Sequence, residues 1–310
     1  MKIAGVEIKK GQTKKINLAI AKLTSGTKID IPVVVSRGIS DGPVLLLMAG
    51  LHGDEINSVD VVRRILDEKI NHVENGTVIC IPILNIFGFI NYSREVPDGK
   101  DVNRSFPGFS KGSLASQIAY HLTKTILPHC DYIIDFHTGG KSRFNAAQVR
   151  AVLTDEKSAE LALAFNAPFT LHSNLISQSL RETASEKDKT IIVFEGGESL
   201  RFDQEVTEIA LSGVKKILNF LNMADYAENI NPSKTFRNRK WLRAPVSGFF
   251  HPTIKVGDKV KFKQTLGSIC GPLGDYHKSC NCPKNGYVIT LNNNPVVNRG
   301  DAIIQVAYDA

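Results

Sequence analysis

Val44-Leu45-Leu46-Leu47-Met48-Ala49-Gly50-Leu51-His52-Gly53-Asp54-Glu55 carries both the fold and the chemistry of this chain. Its first five residues are continuously apolar, the pattern of a strand covered on both faces. A turn rich in glycine follows, and then a helical apolar period from Ser58 to Ile70. Asn75-Gly76 closes that unit, and Val78 to Leu84 reads as a second buried strand. The order strand, helix, strand predicts a βαβ unit with a right-handed crossover. At the turn, His52 and Glu55 stand three residues apart and can aim an imidazole nitrogen and a carboxylate at one cation, a mixed donor set that zinc accepts. Gly50 and Gly53 let the main chain lie close to such an ion.

Upstream, the β-rich runs Lys14 to Ile20 and Ile29 to Val35 flank Thr24-Ser25-Gly26-Thr27 and predict a hairpin. Downstream, residues 85–113 form a long irregular segment rich in Gly, Pro, Asn and charge, and loops of this length in compact domains are often functional. A helix is expected from Leu114 to Leu127, stopped by Pro128, and then a strand from Asp131 to His137. Further strands are expected at Val149 to Leu153, Pro168 to Leu171 and Thr190 to Phe194, with helices at Glu156 to Phe165 and Gln204 to Leu221. This alternation predicts an α/β fold, a mixed and mostly parallel sheet covered by helices. Ligands bind such sheets at the carboxyl ends of strands, where His52, Asn85, His137 and Glu195 all fall.

After about residue 225 the texture changes to short β-rich runs with many Gly and Asn residues. We expect two domains, a catalytic α/β domain at 1–225 and a smaller all-β domain at 226–310. The second contains an internal echo. Ala244-Pro245-Val246-Ser247-Gly248 precedes Gly257-Asp258, and Cys282-Pro283-Lys284-Asn285-Gly286 precedes Gly300-Asp301. These two copies resemble the halves of a biotinyl or lipoyl barrel, although the lysine signature of a carrier is missing between them.

Hydrophobic content of 42% and 22% charged residues fit a globular protein, and no apolar run reaches the roughly 18 residues that span a bilayer. No membrane association is expected, and five cysteines without a dense framework point to the cytoplasm. Cys280, Cys282 and His277 would make an incomplete metal set. The net charge of +7 favours anionic partners. Arg237-Asn238-Arg239-Lys240 with Trp241 is the best local candidate for nucleic acid, but no nucleic-acid motif accompanies it and a short basic run is expected to be a solvated face. A small anionic substrate is the expected partner, with no nucleic acid, and self-association into a homo-oligomer is left open.

The third candidate ligand is His137, since two close ligands and a distant one form a frequent zinc-hydrolase arrangement with a fourth position for water. Asp135, two residues back on the same side of the strand, either supports a metal-bound imidazole or caps nearby backbone.

Four motifs occur in order: the Ala-Gly-x-His-Gly-Asp-Glu turn, Asp101-Val102-Asn103-Arg104-Ser105-Phe106-Pro107-Gly108, Asp135-Phe136-His137-Thr138-Gly139, and Phe194-Glu195-Gly196-Gly197-Glu198. Together they resemble the succinylglutamate desuccinylase and aspartoacylase family, a branch of the zinc carboxypeptidase fold. The resemblance implies one Zn²⁺ on His52, Glu55 and His137, with Glu195 as general base. It implies that Arg94 stabilises the carbonyl oxyanion, and that Asn103, Arg104 and Arg181 bind substrate. The insertion Glu95 to Lys100 and the lack of a placeable pocket tyrosine depart from the desuccinylases and aspartoacylases proper; Tyr287 is a candidate that does not align. The expected activity is hydrolysis of an N-acyl amino acid or a similar small acylated amine. The alternatives are a carboxypeptidase that releases a C-terminal acidic residue, and a binding protein that has lost turnover.

Overall fold

The unbroken apolar run at Val44 to Met48 becomes the middle of a 13-stranded mixed sheet because both of its faces find cover. The computed structural model describes residues 1–309. A short hairpin, β1 (Lys2–Ile3) and β2 (Val6–Glu7), precedes β3 (Thr13–Lys22), β4 (Lys28–Arg37), β5 (Ser40–Met48), α1 (Ile56–Asp67), β6 (Asn75–Ile81) and α2 (Ile86–Ile90). Next come α3 (Leu114–His121), β7 (Tyr132–Gly139), β8 (Arg143–Ala151), α4 (Glu156–Phe165), β9 (Phe169–His172), α5 (Leu180–Ser185), β10 (Thr190–Glu198) and α6 (Gln204–Phe220). The remainder is all strand and loop: β11 (Lys234–Phe236), β12 (Asn238–Arg243), β13 (Gly248–Pro252), β14 (Lys259–Val260), β15 (Thr265–Cys270), β16 (His277–Asn281), β17 (Gly286–Asn292), β18 (Val296–Val297) and β19 (Ala302–Tyr308).

The main sheet runs β12-β19-β17-β8-β10-β7-β5-β6-β4-β3, with β9, β11 and β14 attached beside that path. Side chains of β5 alternate between two apolar layers: Val44, Leu46 and Met48 join α3, α5 and the β3/β4 hairpin, while Leu45 and Leu47 join α1, α4 and α6. Leu45, Leu46, Leu47 and Met48 are fully buried, each contributing about 1.5–3 kcal/mol of burial. β6, β5, β7 and β10 form a continuous parallel block, and β8, β9 and β11 form a shorter one beside it. The expectation of a mostly parallel sheet therefore needs correction, since β3, β4, β8, β17, β19 and β12 flank that block with antiparallel pairings. The flanks can be antiparallel because one face of a strand such as β3 is wet, and its buried residues alternate with exposed ones.

The segment after residue 225 builds two four-stranded layers, β12-β19-β17-β14 and β16-β15-β13-β18, around a cluster that includes Phe250, Leu266, Ile269, Val288 and Ile304. One layer is continuous with the main sheet. Arg143, Phe144 and Asn145 of β8 pair with Asn292, Leu291 and Thr290 of β17, whereas Gln148 to Ala151 of the same strand pair with β9. The sheet forks at β8, and a cleft opens beside the fork. Cys280 and Cys282 are buried in the apolar cluster while His277 is exposed, so these three form no metal set. No described helix is long and apolar enough to cross a membrane.

Candidate metal centre and arginine-lined cleft

The turn after β5 places His52 and Glu55 as its geometry demands. Gly50 has φ +62°, and the backbone of Gly88 on α2 approaches Gly53 so closely that a Cβ there would meet the Gly88 carbonyl carbon at 1.9 Å. Glu55 is the residue before α1, but its side chain makes no capping bond. Its carboxylate is thereby free, and Oε2 accepts from the Thr138 N–H at 3.1 Å. His137 lies toward the end of β7, two positions beyond the parallel pairing of Met48 with Asp135 that joins the two strands.

The donor atoms of His52, Glu55 and His137 all lie within 4.8 Å of one another, and all three residues are buried. Glu55 Oε1 is 2.7 Å from His52 Nδ1, and Oε2 is 2.7 Å from His137 Nδ1. Asp135 Oδ2 lies 2.8 Å from His137 Nε2, so of the two roles open to Asp135 it takes that of a carboxylate behind the imidazole. Burial opposes the charge on Glu55, yet the two imidazoles outweigh it and hold the carboxyl below its usual range. Burial likewise opposes protonation of His137, but Asp135 and Glu55 raise its pKa well above the ordinary value. Two imidazole nitrogens and one carboxylate, converging in a buried pocket with a further carboxylate behind one ring, fit a metal ion and match a donor set of catalytic zinc.

The remaining expected residues gather on one cleft of about 380 Å³. Arg94 is oriented by Asp101, whose Oδ2 accepts from Nε at 3.1 Å and Nη2 at 2.9 Å, and its Nη1 lies 3.6 Å from Glu55 Oε1. Asn103 accepts the Leu180 N–H, and Arg104 is exposed on the lining with Nη1 donating to the Asn103 carbonyl. Arg181 is buried and donates to the carbonyls of Ser173 and Asn174 and to Ser173 Oγ, so it is pinned to the wall. Burial and the neighbouring Arg150 push its pKa down to about 10. Glu195 faces His137 across the β10/β7 pairing, and the register shifts between Glu195 and Gly197, a bulge of the kind that re-aims a side chain beside an active site. Asn85, by contrast, caps α2 through the Gly88 N–H and holds the Arg94 carbonyl.

The basic run read as a solvated face needs correction. Arg237 and Lys240 are exposed, but Arg239 and Trp241 alternate onto the inner face of β12 and line the cleft. Arg143 stacks over the Trp241 ring at 5.4 Å, and Arg150 joins Glu195 at 2.6 Å. The period-two spacing of Arg239 and Trp241 was the signal that could have found them. Arg143 and Arg150 carried none, because the fork at β8 is a tertiary feature. Tyr287 packs with Phe169 and Phe236 and is not among the cleft residues.

Comparison with known proteins agrees with this geometry. The chain is 28% identical over 300 residues to the N-alpha-acetyl-L-2,4-diaminobutyric acid deacetylase of Halomonas elongata, covering 89% of this chain and 85% of that one. Its fold matches a succinylglutamate desuccinylase/aspartoacylase from Rhodobacter sphaeroides with a TM-score of 0.85 at 24% identity, over 100% of both chains. It also matches the product-bound ectoine utilization protein EutE (DoeB) from Ruegeria pomeroyi with a TM-score of 0.84 at 22% identity, over 96% of this chain and 94% of that one. A profile of the succinylglutamate desuccinylase/aspartoacylase catalytic domain matches residues 41–221, more than half of the sequence, and the protein belongs to that family.

Proposed function

We propose that this protein, an amide-bond hydrolase by family, is a zinc-dependent deacylase whose substrate is a small N-acyl amino acid held through its anionic groups. The observation that carries the reading is the meeting of His52, Glu55 and His137 with Glu195 and Arg94 on a single cleft. Zinc, when bound, would polarise the scissile carbonyl and acidify the attacking water. Glu195 would take the water's proton and return it to the departing amine. Arg94, locked by Asp101, would face the negative charge that develops on the carbonyl oxygen, where a fixed cation in a water-poor site is most effective. Asn103 and Arg104 would hold a substrate carboxylate.

The cleft is lined by Arg94, Arg104, Arg143, Arg150, Arg181 and Arg239, against the carboxylates of Glu55 and Glu195. Such a wall favours an acid over an amine at the substrate's far end. The Halomonas relative is named for an acetylated diamino acid, which makes the side-chain charge the feature to test. The test is zinc content together with amine release from N-acetylaspartate, N-succinylglutamate, N-acetyl-2,4-diaminobutyrate and a dipeptide ending in glutamate. We expect one zinc per chain, and kcat/KM at least about tenfold higher for the best N-acyl acidic amino acid than for the amine, a difference of about 1.4 kcal/mol. His52→Ala should lose the metal. Glu195→Gln should keep it and lose about 10²- to 10⁴-fold in kcat. A protein that takes up no zinc, or a dipeptide as the best substrate, would overturn the proposal.

A further inference from the structure

Glu195 does not stand alone on the cleft wall. Its Oε2 accepts from Asn145 Nδ2 at 2.6 Å, and Asn145 Oδ1 in turn accepts from the Thr290 hydroxyl at 2.7 Å. Its other oxygen, Oε1, meets Arg150 Nη1 at 2.6 Å. Asn145 and Thr290 are 4% and 2% exposed, so leaving either hydrogen bond unmade is costly.

The three residues come from three neighbouring strands. Asn145 of β8 pairs with Thr290 of β17 on one side and with Gly197 of β10 on the other. Both flanking strands are irregular there, with register shifts between Glu195 and Gly197 and between Val288 and Thr290. Side chains that a regular ladder would leave in parallel rows are thereby turned toward one another.

An asparagine amide has an acceptor on one side and donors on the other, so the direction of its partners decides what it presents to the third group. The Thr290 hydroxyl occupies Oδ1 and leaves Nδ2 for the carboxylate. Without that hydroxyl, Oδ1 would be a buried acceptor with no partner, and the side chain gains by rotating away from Glu195 to find one.

We propose that Thr290 and Asn145 are positioning residues that hold the Glu195 carboxylate in its reactive orientation, so that a strand from the C-terminal segment sets the base of the catalytic α/β portion. The proposal rests on the reading of Glu195 as general base. Neither Thr290 nor Asn145 takes part in the proton transfer. Arg150 holds the opposite oxygen, so the carboxylate is clamped by two residues of β8, while Thr290 couples that clamp to the C-terminal layer. Removing Thr290 or Asn145 changes how often the carboxylate faces the water and replaces none of the cleft arginines.

The experiment is steady-state kinetics on the zinc-loaded full chain for Thr290→Val, Thr290→Ser, Asn145→Ala, the Thr290→Val/Asn145→Ala double variant and Glu195→Gln, with zinc content measured on each. Thr290→Val keeps the branched shape and removes the hydroxyl. It should lower kcat about tenfold to hundredfold, part of what a general base supplies, with KM within about twofold and zinc unchanged. Thr290→Ser should recover most of the loss. The double variant should be no worse than Asn145→Ala alone, because both act on one unit. A Thr290→Val enzyme with unchanged kcat, beside an inactive Glu195→Gln, would overturn the positioning role and leave the base reading intact. Full turnover by Glu195→Gln would overturn the base reading itself. If Thr290→Val does not fold, Asn145→Ala is read in its place, and an unchanged kcat there overturns the proposal.

Discussion

At the scale of single residues, what distinguishes this site is where its cations sit. Arg239 donates to Ser173 Oγ at 3.1 Å, and Arg181 reaches the same hydroxyl at 3.2 Å. Burial and Arg150 push the pKa of Arg239 down to about 10, as for Arg181. Like charges crowded in a buried wall are costly unless an anion joins them, and under the proposed function the substrate would supply one. Arg239→Ala should raise KM about tenfold to hundredfold with kcat little changed, because it removes binding that ground state and transition state share. Arg239→Lys should restore only part of that affinity, since an ammonium lacks the planar fork. Initial rates across a substrate titration check both.

At the scale of elements, the candidate metal ligands depend on how closely the turn after β5 approaches α2. Gly53 touches the backbone of α2 at Gly88, and α2 is itself held by Asn85 and followed directly by the loop that carries Arg94. A methyl group at Gly53 cannot be absorbed by a flexible side chain, because its contacts are the Gly88 carbonyl and the Phe89 nitrogen. Gly53→Ala should destabilise the protein by about 1–3 kcal/mol or more and weaken metal retention in the same variant. Leu47→Ala, near the end of β5 and fully buried, should cost a similar or larger amount, about 2–5 kcal/mol, while the folded fraction keeps its zinc. Urea titration with zinc analysis separates the two outcomes.

At the scale of the whole molecule, the question is whether the C-terminal strands form a separate unit. Thr290, Leu291 and Asn292 extend the main sheet through β8, and Arg239, Trp241, Thr290 and Gln305 complete the cleft. A continuous ladder and a shared cleft should couple the two halves. The single tryptophan, Trp241, lies on β12 in the C-terminal segment, so its fluorescence reports that half while far-ultraviolet circular dichroism reports the entire sheet. We expect the two denaturation curves to coincide. A fluorescence transition that precedes the loss of ellipticity would identify a unit that unfolds by itself.

Much of this protein was determined by sequence over short range. The apolar run Val44 to Met48 required cover on both faces, the Glu156 to Phe165 helix has the predicted ends, and the His52 to Glu55 spacing already marked half of the candidate metal site. These are local facts, decided by the periodicity of burial and by the reach of side chains along one turn. The helices Ile86–Ile90 and Leu180–Ser185 were not legible, being too short to show a period. The antiparallel β3/β4 hairpin was legible from its turn, but the antiparallel placement of β8, β17, β19 and β12 was not, since strand direction there depends on connections between distant elements. The arginine wall was the least legible of all. Arg143 and Arg150 looked like any surface cations, because charge in a sequence has no address, and Arg239 sat in a basic run read as a solvated face. Only the fork at β8, which turns β12 and β17 toward β10, gathered them with Glu195 on one face, and that pairing joins residues at least 145 positions apart.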